Sequence, residues 1–279
     1  MEAGTVLAIS RTRTGLAVVP VSAGRVILRL VADTGASGLV ISKEALSRLA
    51  PGDFVLHGAV SQAAAGGQAR GELVTLRSVA VAPGMEMSLE GTAVSFAGFG
   101  EQLGGEVDGV LGMGVLEQYS LRFDLRRLRL ALLPPQTRFD GGNALADVRF
   151  EFAPTFRQIR FPAQINAQPV KAVLDTGAVQ TCVNWSAARQ AGVDRNSPGL
   201  REEKKSVGID GGRQLVREYR FPEVRIGQAL WHAAALAVAD LPVFETIGMG
   251  SVPAVVIGMD LMTGHEIEIS FLERRLIIR

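Results

Sequence analysis

The four residues Asp-Thr-Gly-Ala occur twice in the sequence, at 33–36 and at 175–178. An apolar run precedes each copy, at 30–32 and at 172–174. A single Asp-Thr-Gly triplet indicates no more than a tight turn at the end of a strand, since aspartate and glycine are common turn residues. Two copies in the same setting favour a duplicated site, with one carboxylate from each copy.

Two carboxylates at equivalent places in pseudo-symmetric halves would meet at the axis between the halves. Like charges at short distance cannot both form cheaply, so Asp33 and Asp175 would share one proton. The ionised member of such a pair can act as a general base on a water molecule, and the protonated member can polarise a carbonyl group. That chemistry is amide hydrolysis without a covalent intermediate.

The elements that must position the two aspartates also repeat along the chain. Five features recur in the same order, 142 to 146 residues apart. They are a hairpin turn (21–26 and 165–170), the Asp-Thr-Gly-Ala segment, a strand followed by a helix that a serine opens (Ser42 before 43–49, Ser186 before 187–191), a glycine-bearing turn (65–67 and 210–212) and a closing segment (110–113 and 256–259). The repeat predicts an internal duplication with a pseudo-twofold axis.

The glycine content indicates the fold class. Glycine accounts for 32 of the 279 residues, and these glycines separate short β-branched runs. This pattern is typical of turns between many strands, so we predict a mostly β, two-lobed fold with a few short helices. The turn-rich stretches 134–135 and 140–143 indicate a connector. We therefore predict lobes at 1–140 and 141–279, each carrying one of the two aspartates.

The motifs resemble those of a known family. The Asp-Thr-Gly-Ala segments, the later triplets Val110-Leu111-Gly112 and Val256-Ile257-Gly258, and the intervening glycine turns resemble those of aspartic peptidases of the retropepsin and pepsin type. The resemblance extends from about Val21 to Ile278 and is nearest to bacterial retropepsin-like proteins. It implies the acid protease fold and an aspartic endopeptidase that hydrolyses peptide bonds of an extended polypeptide.

The resemblance also implies a role for the first two residues of each motif. Asp33 and Asp175 are the catalytic pair, one from each half. Thr34 and Thr176 hydrogen-bond across the axis to the opposite strand backbone, and they hold the two loops together.

Glycines are implied to support the catalytic pair. Gly35 and Gly177 let the backbone pass close to the carboxylates, where a side chain would collide, and their N–H groups help to orient the carboxylates. Gly112 and Gly258 support the two loops from behind.

Ala36 and Ala178 complete the two motifs. Pepsin-like relatives often carry a hydroxyl here that hydrogen-bonds the carboxylate and favours its ionised form. Both copies lack that bond in this sequence. We therefore expect a less acidic pair than in pepsin-like enzymes, with highest activity at weakly acidic pH.

The glycine turns resemble flaps that fold over an extended peptide and pair with its backbone. Their tips are predicted at Gly66 and Gly67 in the first half and at Gly211 and Gly212 in the second. Pepsin-type chains have one flap with a characteristic tyrosine, but neither tyrosine of this sequence lies at a turn tip. The sequence is therefore more similar to a fused retropepsin dimer with two covers.

Composition argues against several other classes. The formal net charge is +1, so no global field attracts nucleic acid or an anionic membrane. His57, His232 and His265 have no paired metal-ligand spacing, and a single cysteine cannot complete a thiolate site. We expect no metal and no cofactor.

The sequence also gives expectations for the partners and the compartment of the protein. Arg25 and Arg29 interrupt the best early apolar stretch, so we predict no membrane span. The first residues carry no export signal, and we expect a cytoplasmic protein, or a periplasmic one if a leader precedes this sequence. The expected partner is a polypeptide substrate. We expect a monomer, because two fused lobes replace a homodimer.

A second hypothesis comes from another functional class. Lobes of this fold can persist as catalytically weak or inactive modules that bind an extended peptide or a strand edge without cutting it. The presence of both aspartates with both threonines favours catalysis.

Overall fold

The structure, a computed structural model, describes residues 4–64, 67–95, 107–153, 157–202, 204–207 and 213–279. The first half contributes β1 (Thr5–Ala8), β2 (Ser10–Arg11), β3 (Ala17–Ala23), β4 (Val26–Ala32), β5 (Leu39–Ser42), α1 (Lys43–Leu46), β6 (Phe54–Ala64), β7 (Gly67–Ala80), β8 (Glu86–Val94), β9 (Gly109–Leu111), α2 (Met113–Leu116), β10 (Ser120–Asp124) and β11 (Arg129–Leu133). The second half contributes β12 (Ala146–Arg149), β13 (Glu151–Phe152), β14 (Ile159–Ile165), β15 (Gln168–Leu174), β16 (Cys182–Val183), α3 (Trp185–Gln190), β17 (Lys204–Val207), β18 (Arg213–Ile226), β19 (Ala229–Val238), α4 (Pro242–Thr246), β20 (Ala254–Ile257), α5 (Met259–Met262), β21 (Glu266–Ser270) and β22 (Arg275–Ile278). The predicted mostly β class with a few short helices is confirmed.

Each half builds one eight-stranded sheet, and the two sheets have the same strand order. The first runs β2-β3-β4-β9-β5-β8-β7-β6 and the second runs β13-β14-β15-β20-β16-β19-β18-β17. An additional pairing, β3 with β7 and β14 with β18, curls each sheet back on itself. The strands correspond one to one, which confirms the predicted internal duplication.

A third sheet joins the halves. Its six strands run β1-β11-β10-β21-β22-β12, so each half supplies three. The central strands β10 and β21 pair in antiparallel register, with Arg122 opposite Glu268 and Phe123 opposite Ile267. This sheet therefore carries the pseudo-twofold axis. The lobe boundary at residue 140 falls between β11 and β12 and stays a prediction.

Short helices follow the strand after each motif. Ser42 is the N-cap of α1 as predicted, and its hydroxyl accepts a helix N–H, although α1 ends at Leu46. In the second half the predicted cap Ser186 is wrong, because α3 begins at Trp185 and Asn184 is its N-cap. The Asn184 amide oxygen accepts the helix N–H while its nitrogen donates to two loop carbonyls, so the fully buried side chain is satisfied.

The strands that carry the two motifs are buried by their neighbours. β9 lies between β4 and β5, and β20 lies between β15 and β16. All residues of β9 and β20 are buried, as expected for strands covered on both faces. One apolar cluster contains buried residues of both halves, including Leu30, Leu111 and Ile257. The loops that leave β4 and β15 therefore start from a rigid base.

Candidate active site

The two Asp-Thr-Gly-Ala segments leave their strands in the same way. Asp33 follows β4, and its N–H donates to the Leu111 carbonyl of β9 at 3.0 Å. Asp175 follows β15, and its N–H donates to the Ile257 carbonyl of β20 at 3.0 Å. Each aspartate is thus fixed by the central strand of its own sheet.

Reciprocal threonine bonds join the two loops. The Thr34 N–H donates to Thr176 Oγ1 at 3.0 Å, and the Thr176 N–H donates to Thr34 Oγ1 at 3.2 Å. Each hydroxyl then donates to a carbonyl of the opposite strand, Thr34 to Leu174 at 2.8 Å and Thr176 to Ala32 at 2.7 Å. Both threonines are buried. These bonds bring the two aspartates to the axis.

The carboxyl groups of Asp33 and Asp175 lie close together, since each occupies the place where the motif glycine of the other loop would carry a Cβ. A hydrogen bond between two carboxyl groups needs a proton on one of them. Both side chains are half-buried, so the pair keeps access to solvent.

Glycine is required on both sides of the pair. A Cβ on Gly35 would overlap the carboxyl group of Asp175, and a Cβ on Gly177 would overlap that of Asp33. Each loop therefore wraps closely around the carboxyl group that the other loop presents.

Backbone N–H groups orient the carboxylates. Asp33 Oδ1 accepts the N–H of Gly35 at 2.7 Å and that of Ala36 at 3.1 Å. Asp175 Oδ1 accepts the Gly177 N–H at 2.9 Å. Such bonds stabilise the charged form of a carboxyl group.

The pair has perturbed acidity. Burial raises the pKa of Asp33, and hydrogen bonds from Asp175 and from the backbone partly offset that rise. Burial and the nearby charge of Asp33 raise the pKa of Asp175 well above its ordinary value. Asp33 Oδ1 accepts two backbone N–H groups and Asp175 Oδ1 accepts one, so a negative charge is better stabilised on Asp33. Over a range of pH, the pair holds one proton and one negative charge.

Gly112 and Gly258 lie directly behind the two loops. A Cβ on Gly112 would be 2.6 Å from the Ala36 carbonyl oxygen, and one on Gly258 would be 2.9 Å from that of Ala178. The next residue of each segment donates its N–H to the same carbonyl, at 2.8 Å in the first half and 2.9 Å in the second. The closing segments therefore support the Asp-Thr-Gly-Ala loops by backbone contacts, and no side chain fits at Gly112 or Gly258.

Sequence reasoning missed two contacts behind these loops. In the second half, Thr181 donates its N–H and its hydroxyl to Asp260 Oδ1, at 2.9 and 2.6 Å. The Gly258 N–H donates to Thr181 Oγ1 at 3.0 Å. The first half has Leu39 and Gly114 at these positions, and aligning the two halves residue by residue would have found this difference.

The second missed contact crosses between the halves. Gln158, just before β14, donates from Nε2 to the Gly35 carbonyl at 3.3 Å. No motif contains Gln158, so only its match with Leu16 in the first half could have drawn attention to it.

The two predicted flaps are partly described. Gly67 opens β7 and pairs with Ala64 of β6, while Gly66, Gly211 and Gly212 lie outside the described residues. The first-half hairpin reaches the second half, since β6 lies against α4. In the second half β17 pairs with the start of β18. The covering role of both hairpins stays a prediction.

Two further findings concern metals and membranes. In the described ranges, no group of three or more His, Cys, Asp or Glu residues is placed to hold a metal ion. Across the same part of the chain, none of the helices has the length and apolar character needed to cross a bilayer.

Comparison with known proteins identifies the repeated unit. A family model described as aspartyl protease matches residues 19–115 and, separately, residues 161–261. The first match contains Asp33 and Gly112, and the second contains Asp175 and Gly258. A search of curated proteins found no match.

Proposed function

The chain belongs to the aspartyl protease family, and on that premise we propose that it is an aspartic endopeptidase. Its substrate is an extended polypeptide, its catalytic residues are Asp33 and Asp175, and it acts as a monomer, because one chain supplies both carboxyl groups. The observation that carries the proposal is the close approach of these two carboxyl groups at the junction of the two halves, which the reciprocal threonine bonds hold in place.

The charge state of the pair supports this chemistry. Two negative charges about 4 Å apart repel each other by about 4 kcal/mol at an effective dielectric constant of about 20. A repulsion of that size separates the two proton losses by about three pH units. The singly charged pair is thus the main form over a broad range of pH.

In the proposed reaction a water molecule is bound between the carboxyl groups. The ionised aspartate removes a proton from this water as the oxygen attacks the peptide carbonyl carbon. The protonated aspartate donates a hydrogen bond to the carbonyl oxygen and then its proton, which gives a neutral tetrahedral intermediate. The aspartate that took the proton from water then donates it to the amide nitrogen, while the other aspartate takes a proton from a hydroxyl group of the intermediate. The C–N bond breaks, and the pair again holds one proton and one negative charge in the original arrangement.

The support around the pair suits this mechanism. The reciprocal bonds of Thr34 and Thr176 hold the two loops in one position relative to each other. Preorganised groups need not move as charge develops on the substrate, which lowers the activation free energy. In this proposal the hairpin of β6 and β7, which lies against α4 of the other half, covers a peptide bound between the halves.

Digestion of an unfolded protein over a pH series tests the proposal. We expect cleavage at weakly acidic pH that an aspartic-protease transition-state inhibitor blocks. Asp33→Asn and Asp175→Asn should each abolish cleavage, whereas Asp194→Asn at an exposed turn should not. Cleavage that survives either of the first two substitutions would overturn the mechanism. Tight peptide binding without cleavage by the folded wild-type chain would support the binding-module hypothesis instead.

A further inference from the structure

Gln158 belongs to the second half but contacts the motif of the first. Its side chain is 5% exposed, and its Nε2 donates to the Gly35 carbonyl oxygen at 3.3 Å. The preceding residue, Arg157, forms an ion pair of 2.6 Å with Glu117 across the same junction. The segment before β14 is therefore attached to the first half at two points.

The Gln158 contact leads to Asp33 through a single peptide unit. The Gly35 carbonyl and the Ala36 N–H belong to the same peptide group, and that N–H donates to Asp33 Oδ1 at 3.1 Å. A donor on the carbonyl polarises the peptide group and strengthens the bond that its N–H makes. This bond favours the ionised form of Asp33. The Gln158 amide therefore stabilises negative charge on Asp33 without touching it.

Among the described residues of the first half, the counterpart of Gln158 is not a donor. Val18 pairs with Val31 in the first half as Arg160 pairs with Val173 in the second, so Leu16 is the counterpart of Gln158. Leu16 is 1% exposed and cannot donate a hydrogen bond. The fold thus accepts an apolar side chain at this position, and the two aspartates differ in their support.

The Gln158 side chain also carries an energetic penalty. Among the described residues its Oε1 atom is buried and has no hydrogen-bond partner. An unsatisfied buried polar atom destabilises a folded chain, and a leucine would avoid that penalty. At this position the amide is therefore less favourable for stability than a leucine, and its Nε2 supplies a hydrogen bond that leucine cannot make.

We propose that Gln158 is a positioning residue that makes the two aspartates unequal, holding the negative charge on Asp33 and leaving the shared proton on Asp175. This inference rests on the proposed function. It assigns Asp33 as the general base toward water and Asp175 as the acid toward the peptide carbonyl.

Replacing Gln158 with an apolar residue changes no formal charge. Charged groups nearby keep their contacts in such a variant. Arg157 pairs with Glu117, Asp260 accepts from Thr181, and Arg160 donates from Nη2 to the Ile247 carbonyl, while its buried Nε has no partner among the described residues. A change in the titration of the pair can therefore be assigned to the lost donor.

The test is a titration of the full-length chain with ¹³C-labelled aspartate carboxyl carbons, read by NMR. Asp33→Asn and Asp175→Asn assign the two signals. In the singly charged range we expect the Asp33 carbon near the carboxylate shift and the Asp175 carbon near the carboxylic acid shift. In Gln158→Leu and Gln158→Met the two shifts should approach each other, because the charge is shared more evenly. A folded variant with unchanged shifts would overturn the inference.

A second readout follows from the sign of the effect. Gln158 stabilises the singly charged pair, so its loss should move the acid limb of the kcat/KM profile to higher pH by about 0.2 to 0.6 units. The double variant Leu16→Gln/Gln158→Leu moves the donor to the first half. In this variant the Asp175 carbon should shift toward the carboxylate value and the Asp33 carbon toward the carboxylic acid value. The NMR result does not depend on cleavage, so a failed proteolysis assay and a failed charge assignment are distinguishable.

Discussion

The two halves of the molecule are alike at the loops that carry Asp33 and Asp175, whereas the side chains that they bring together in the joining sheet differ. Thr34 and Thr176 make the same two bonds in opposite directions. In the joining sheet, the counterparts Arg122 and Glu268 face each other and form an ion pair of 2.6 Å. Identical halves would place two arginines or two glutamates there. The two loops thus hold each other by symmetric bonds, whereas the joining sheet uses a complementary pair that only two different halves can provide.

The largest expected effect comes from the glycines that face the carboxyl groups. Gly35→Ala and Gly177→Ala each place a methyl group on the opposite carboxyl group, so the loops must separate. We expect a fall of about 100-fold or more in kcat/KM for both variants, because small displacements of catalytic groups have effects of that size. Gly52→Ala, with open space around its Cβ position, is the control. Near wild-type activity in either variant would contradict the close approach of the loops.

Next in size is the loss of the threonine hydroxyls. Thr34→Val and Thr176→Val keep the shape but leave a buried N–H and a buried carbonyl without partners. Each should lower the free energy of unfolding by about 1–3 kcal/mol, measured by urea denaturation. Serine at either position should restore most of the loss. Clearly unequal effects of the two valine variants would show that the halves are not equivalent here.

Substitutions of the two paired residues in the joining sheet should differ in their effect on stability. Glu268 is 1% exposed and contacts Arg122 and Arg279, while the Arg122 side chain is 43% exposed. Glu268→Gln removes the buried carboxylate that both arginines contact and leaves them the longer carboxylate contacts with Glu266, at 3.8 and 3.9 Å. It should destabilise the chain by about 1–3 kcal/mol. Arg122→Gln leaves Glu268 paired with Arg279 and should change stability by about 1 kcal/mol or less. If both variants lost the same free energy of unfolding, the difference in burial between Glu268 and Arg122 would not explain their contributions.

The smallest expected change is in thermal stability at neutral pH. The pKa values of Asp33 and Asp175 are raised in the folded chain, so the folded state binds more protons than the unfolded state above the ordinary aspartate pKa. Stability is therefore lost as pH rises through the folded pKa values. Asp175→Asn removes that loss, and its Tm should exceed that of wild type at pH 7 and approach it at pH 4. A lower Tm than wild type at pH 7 would contradict the raised pKa.

The duplication could be predicted from the sequence because the two motifs and the features around them recur in the same order at a nearly constant separation. Asp33 and Asp175 follow apolar strands at equal positions in a repeat, and residues that must meet at an axis keep their identity. The cap of α3 was mispredicted because Ser186 and Asn184 are both good capping residues, and only the loops around Asn184 decide between them. Local pattern alone cannot weigh such tertiary contacts.

The contacts missed by sequence reasoning are those that differ between the halves. Thr181 with Asp260, and Gln158 with Gly35, join segments that are far apart in sequence and have no motif of their own. Which residues form these contacts depends on how the strands pack in three dimensions. The joining sheet was also not predicted, because β10 and β21 come from different halves and short apolar strands do not state which partner they pair with.

The proposed mechanism depends on a single proton held between Asp33 and Asp175. Neutron diffraction from crystals of the deuterated chain at weakly acidic pH measures this proton. We expect nuclear density for one deuterium on the line between the two carboxyl groups. Two carboxyl groups that lie apart, each with its own deuterium or with none, would contradict it.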